Sequence, residues 1–248
     1  MQILLDLVQK SKATALLGFI VLFSSVTFAK MEQQPDLPEL LYLSDPLCGW
    51  CYGMSPIIQR VQREFAGRVV VSVLCGGMIT GEQVGPIGEN WHDLTGALTQ
   101  VARVAGVEFG TAFQAVGQEG SRLQDSEPPS RAIHAFRQLR QDEAAQFAHE
   151  VQQAHFQHGA DLNDPATYDA LVAPYGLDAA DFRGRLTSRE VIRGTILEFA
   201  AVGKIGVQGF PTTILRLGSQ GYVLARGYQP YDAFAARLEE ALTQPDKV

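Results

Sequence analysis

The 248-residue sequence predicts an α/β fold in which one mixed sheet is split by a large, all-helical insertion. Three observations carry that expectation. Residues 38–80 read as strand, helix, strand, the unit that builds a parallel pair. Residues 81–204 read as helices joined by short turns. Residues 205–244 return to strand chemistry, with two runs around a glycine-rich turn and then a last helix. Neither sheet-forming piece is large enough to stand alone, so the two are expected to pair across the insertion.

Each element has its own signal. Glu39-Leu40-Leu41-Tyr42-Leu43-Ser44 is a short apolar run and reads as a buried strand. Asp45-Pro46-Leu47 is a turn leading into Cys48. Met54, Ile57, Ile58, Val61 and Phe65 then recur at helical spacing until Gly67. Val69 to Leu74 is the second buried strand, closing at Cys75-Gly76-Gly77. In the insertion, one helix starts after Ser126-Glu127-Pro128-Pro129 and carries Ala132, Ile133, Ala135, Phe136 and Leu139. Another runs from about Asp142 through Phe147, Ala148, Val151 and Ala154 to Phe156. Two shorter ones cover Tyr168 to Val172 and Ala179 to Phe182. The last, Glu190 to Val202, carries Ile192, Ile196, Phe199 and Ala200 on one face. Thr212 to Leu217 and Tyr222 to Arg226 flank Gly218-Ser219-Gln220-Gly221 as a hairpin, and a final helix covers about Tyr231 to Leu242.

Composition narrows the function classes. With 46% hydrophobic residues there is ample material for a core. The net charge of −7, with no run of Lys or Arg, argues against a nucleic-acid or anionic-membrane surface. Lys10 and Lys12 precede an uncharged run from Ala13 to Ala29, and Thr27-Phe28-Ala29 approximates a cleavage site. Residues 1–29 therefore read as a signal peptide or anchor, which places the protein in the periplasm or outside the cell. Met31 is the alternative start, and it would leave the protein cytoplasmic.

Cysteine usage points to the chemistry. Three cysteines, Cys48, Cys51 and Cys75, are too few for a disulfide framework. Two of them form one C-x-x-C at the strand-to-helix turn. The free N–H groups and positive dipole end of a helix start stabilise a thiolate, which is the reactive species. Cys48 is then the exposed attacking sulfur, and Cys51, one turn deeper, resolves the mixed disulfide. Pro56 sits inside the helix, where proline costs about 3 kcal/mol or more, and suggests a kink. Pro211 opens the first strand of the hairpin, where proline is tolerated. A cis Phe210–Pro211 bond would turn the Phe210 backbone towards the dithiol, ready to pair with a substrate segment.

These motifs resemble a known family. The C-x-x-C at a βα turn, the proline five residues later and Gly-Phe-Pro-Thr before the hairpin are similar to the thioredoxin superfamily. The long helical insertion is similar to its DsbA-like branch. Asp45 to Gly53, Gly76-Gly77-Met78, Ser130-Arg131-Ala132 and Gly206 to Thr212 resemble the FrnE-like and predicted protein-disulfide-isomerase members. The resemblance spans about Leu40 to Leu242. It implies a thioredoxin fold, dithiol–disulfide exchange without a cofactor, and roles for Cys48, Cys51 and a cis-Pro211. The implied partners are protein thiols and disulfides or glutathione, together with a redox partner protein. The dipeptide between the cysteines is Gly-Trp where DsbA has Pro-His, which implies a less oxidising couple.

Other readings stand beside these. Asp45 is a candidate proton relay three residues before Cys48, or it only shapes the turn before Pro46. Trp50 and Phe210 are candidate substrate contacts. Zinc would need four ligands, and His149, His155 and His158 do not complete a set with the cysteines. They read as ordinary polar helix residues, and no metal is expected. Cys75 reads as a small buried apolar residue. A glutathione-dependent isomerase or transferase of the 2-hydroxychromene-2-carboxylate isomerase or kappa-class type uses the same fold, commonly with a serine at the thiol-activating position. The intact cysteine pair favours the oxidoreductase.

Overall fold

Leu40 and Tyr42 alternate with Leu41 and Leu43 along β1 (Glu39–Ser44), so this strand is apolar on both faces. Such a strand belongs in the middle of a sheet. The computed structural model, which describes residues 37–244, places it there. β1 pairs in parallel with β2 (Val70–Cys75) on one side and antiparallel with β5 (Thr212–Leu217) on the other. The sheet order is β2-β1-β5-β6, with β6 covering Gln220–Arg226. The two ends of the sequence therefore meet through the β1–β5 ladder, where Leu41 faces Ile214 and Leu43 faces Thr212. Leu217 pairs with Gln220, so the hairpin turn is the two residues Gly218 and Ser219, tighter than the four-residue turn expected.

α1 (Gly49–Glu64) crosses between β1 and β2 and buries Met54, Ile58 and Val61, with Phe65 at its C-cap. Each such side chain contributes about 1.5–3 kcal/mol relative to exposure. Pro56 lies within this helix, which continues through it. Proline has no N–H to give the carbonyl four residues earlier, that of Tyr52. The Ser55 hydroxyl donates to that carbonyl instead, at 2.9 Å. α9 (Tyr231–Thr243) packs Phe234, Leu238 and Ala241 into the same core.

The insertion supplies α2 (Trp91–Ala105), α3 (Thr111–Glu119), α4 (Glu127–Leu139), α5 (Ala144–Phe156), α6 (Thr167–Val172), α7 (Ala179–Leu186) and α8 (Arg189–Lys204). It also contains a two-residue antiparallel ladder between β3 (Gly85–Pro86) and β4 (Leu123–Gln124), which the sequence does not announce. α4 and α5 bury the faces expected of them.

α8 does not. Its inward face is Val191, Thr195, Glu198 and Val202, and Ile196 is 51% exposed. Two polar residues on the inner face defeat an apolar-periodicity reading. Glu198 is held inside by the Cys75 N–H at 2.7 Å and by Arg137 and His134 of α4. The expected signal peptide or anchor at residues 1–29, and the alternative start at Met31, lie outside the described residues.

Candidate active site

Cys48 ends the turn after β1 and is the N-cap of α1. Its sulfur accepts the Cys51 N–H at 3.2 Å, so a free donor of the helix start is aimed at the sulfur. On its other side the thiol donates to the Phe210 carbonyl at 3.6 Å. The Phe210–Pro211 peptide bond is cis. The backbone of the C-terminal half thus reaches the dithiol from a residue 162 positions away. Cys48 is only 6% exposed, against the open sulfur expected from its place at a helix start. The Phe210 backbone lying against it supplies part of that cover. Cys51 and Cys75 are fully buried, and all three cysteines are free thiols.

The second thiol is held protonated. Burial pushes the Cys51 thiol well up, and the neighbouring Cys48 sulfur adds to the effect. The backbone of Asp45 opposes it. Tyr42 of β1 donates its hydroxyl to the Cys51 carbonyl at 2.8 Å, tying the first turn of α1 to the central strand. Burial raises Tyr42 well above its ordinary value, so it remains a donor.

Asp45 is completely buried. Oδ1 accepts from the Leu47 N–H at 2.9 Å and the Ser126 hydroxyl at 2.9 Å, and Oδ2 accepts from the Met78 N–H at 2.7 Å. The Leu47 bond is the turn-shaping contact expected of an Asp before Pro. Burial nevertheless dominates these three donors and raises the carboxyl from 3.8 to about 6. Asp45 also tends to keep the Cys51 thiol protonated, because its charge disfavours a second anion nearby. Asp45 is thus a turn former, and burial raises its carboxyl above the ordinary carboxylate range.

The glycines after β2 make room for aromatic rings. A Cβ on Gly76 would come within 1.8 Å of Phe210 Cζ, and one on Gly77 within 2.7 Å of the Phe199 ring. Gly77 also has φ = +66°, which side chains rarely adopt. Trp50 is partly exposed between the cysteines, its ring centroid 6.2 Å from that of Tyr228. Phe210 is likewise half-buried at the same surface.

The match to known proteins agrees with this geometry. Residues 40–239 match the model of the DSBA-like thioredoxin domain. The chain belongs to the DsbA-like thioredoxin family. The chain's fold is similar to that of a Nitrosomonas europaea protein provisionally assigned as a protein disulfide isomerase. The TM-score is 0.74 at 24% identity, over 84% of this chain and 99% of that one. It is also similar to the cytosolic disulfide reductase DsbM from Pseudomonas aeruginosa, with 29% identity and a TM-score of 0.65 over 84% of this chain and 94% of DsbM. A second structure of DsbM contains glutathione. 2-Hydroxychromene-2-carboxylate isomerase shares the fold at 15% identity and a TM-score of 0.56, over 84% and 96% of the two chains. Among curated proteins none matches the chain.

In this DsbA-like domain the surrounding polar groups are the part that the sequence did not disclose. Gln152 of α5 donates to the Asp45 carbonyl at 3.2 Å. His149 Nδ1 lies 2.7 Å from the Ser55 hydroxyl and stacks on Tyr52, the residue after Cys51. His149 and His155 are both lowered from 6.5 to about 4, chiefly by burial. His155 is a core residue packed against Phe113 and Phe156, and His149 is half-buried against Tyr52, so neither is the ordinary polar helix residue expected. Cys75 occupies the buried apolar position expected of it, beside the Glu198–Arg137 pair. No group of His, Cys, Asp and Glu residues suited to a metal occurs among the described residues.

Proposed function

We propose that this protein is a thiol–disulfide oxidoreductase that works through Cys48 and Cys51. The observation that carries the reading is the double engagement of the Cys48 sulfur, by the Cys51 N–H on one side and the Phe210 carbonyl on the other. In the reducing direction the Cys48 thiolate attacks one sulfur of a substrate disulfide. That bond breaks, a substrate thiolate leaves and takes a proton, and a Cys48–substrate mixed disulfide forms. Cys51 then loses its proton and attacks the Cys48 sulfur. The second substrate thiolate leaves, and the Cys48–Cys51 disulfide remains. Two electrons pass to the substrate, and the reverse sequence oxidises a substrate dithiol.

The second step needs a base, because burial favours the protonated Cys51. Asp45 is proposed as the relay that accepts this proton, since its carboxyl titrates at about 6 and it acts electrostatically on Cys51. Trp50 and Phe210 are proposed to contact substrate at the partly open edge of the site. The Phe210 backbone would pair with an extended substrate segment. Protein disulfides and glutathione are both proposed as substrates, with a second protein resetting the dithiol. The signal-peptide or anchor reading of residues 1–29 supports export as the proposed compartment, and N-terminal sequencing of the protein isolated from its native cells tests it.

Single-cysteine variants test the central reading. Cys51→Ser is expected to accumulate a Cys48 mixed disulfide that mass spectrometry detects, and to stop turnover. Cys48→Ser is expected to form none. Full activity towards a glutathione-requiring isomerisation in Cys51→Ser, with no disulfide exchange in the native protein, would replace this proposal with the isomerase reading.

A further inference from the structure

A cavity of about 370 Å³ opens beside the turn that leads into the dithiol. Leu47, the residue before Cys48, forms part of its wall together with Met78, whose N–H is fixed to Asp45. Ile87 and Leu94 of the insertion add apolar surface, and Gln83, Asn90 and Gln124 add neutral polar groups. The size falls near the lower end of ligand pockets, about 300–1,000 Å³, which suits a side chain and its neighbours.

The edge of the cavity carries Glu89 and Asp93, both exposed and four residues apart. The Glu89 carboxylate leans over Gly85, where a Cβ would meet Oε2 at 3.0 Å. Like charges at this spacing repel each other on a helical surface. Among the described residues neither carboxylate has an ion-pair partner, and no Lys or Arg lines the cavity. The site thus combines apolar wall residues with an uncompensated negative rim, and its wall includes Leu47, the residue before Cys48.

We propose that this cavity receives an apolar side chain of a polypeptide substrate that carries Lys or Arg beside it. The proposal rests on the oxidoreductase reading and names the substrate class for it. Glutathione has two carboxylates and one amine, so the same rim disfavours it relative to a cationic polypeptide. Charge complementarity of this kind acts on both selectivity and association rate and weakens with salt.

Three disulfides separate the alternatives when reacted with the reduced native protein at low ionic strength. They are neutral hydroxyethyl disulfide, a Leu-Cys peptide disulfide flanked by Lys, and its Glu-flanked counterpart. Two surface charges support a preference of about tenfold for the Lys peptide over the Glu peptide. The Glu89→Gln/Asp93→Asn protein is expected to bring that ratio close to one and to leave the rate with hydroxyethyl disulfide unchanged. A control protein, Asp142→Asn/Glu240→Gln, removes two exposed charges outside the cavity and should keep the preference. An unchanged ratio in the first variant, or an equal loss in the control, would overturn the proposal. Failure of all three disulfides to react would instead remove the oxidoreductase reading. Fluorescence anisotropy with the same peptides carrying Ser for Cys would then still report whether the cavity prefers the cationic one.

Discussion

Replacing Asp45 by Asn isolates the titration that the proposed relay depends on. Asp45 is fully buried, and its carboxyl is raised from 3.8 to about 6. That difference corresponds to about 3 kcal/mol at 1.36 kcal/mol per pH unit. Because the folded value lies above the unfolded one, the folded chain binds this proton more tightly. The contribution to stability is complete below about pH 4 and is lost as pH rises through about 6. His149 and His155 act in the opposite sense over the same range, because burial lowers them to about 4. The difference between native protein and Asp45→Asn cancels their effect. Urea unfolding from pH 4 to pH 7.5 is the assay. Native protein should lose about 2.5 kcal/mol relative to the variant between those limits, with most of the change between pH 4 and 6. Asn also places an N–H₂ opposite one of the bound backbone N–H groups, which adds a constant offset and no slope. A flat difference, or one that favours native protein as pH rises, would refute the reasoning and leave Asp45 as a turn former only.

The other expectations concern neighbours of the dithiol. Gly76→Ala should cost about 1–3 kcal/mol by overpacking, because the new Cβ would fall 1.8 Å from Phe210 Cζ. Thermal unfolding measures that loss, and slower disulfide exchange should accompany it as Phe210 is displaced. Glu198→Leu should destabilise by about 3–5 kcal/mol, the cost of leaving a buried partner uncompensated. Arg137 would lose its carboxylate and Cys75 its N–H acceptor, and Glu198→Gln should recover part of the loss in the same urea titration. His149→Gln should make the protein more acid-resistant. The native chain should lose about 2–3 kcal/mol relative to it as pH falls from 6.5 to 4, since His149 resists protonation at its buried place against Tyr52.

The strands and the dithiol were legible because their signals are local. β1 and β5 are continuous apolar or β-branched runs, and Cys48 announces itself by standing between a strand and a helix. α8 was legible as a helix but not in its orientation. Its inner face carries Thr195 and Glu198, and partners distant in sequence, Arg137 and His134 of α4 and the Cys75 N–H, make the burial of Glu198 favourable. The same holds for the support beneath the site. Ser126, Gln152 and His149 are ordinary polar residues in sequence, and each gains its role from a partner on a different element. Asp45 gave a partial signal, since Asp-Pro marks a turn, but its complete burial depends on α4, α5 and the loop at Met78. The low exposure of Cys48 was missed for a related reason. The Phe210 carbonyl reaches it through a ladder, β1–β5, whose pairing could be expected but whose register could not.

The most direct test of the account is the redox equilibrium of the native protein in glutathione buffers, with thiols alkylated at each point and located by mass spectrometry. The account predicts one two-electron transition that joins Cys48 to Cys51, at a potential between about −120 and −270 mV, while Cys75 stays a free thiol throughout. A chain in which Cys48 and Cys51 never form a disulfide, or in which Cys75 replaces either of them, would contradict it.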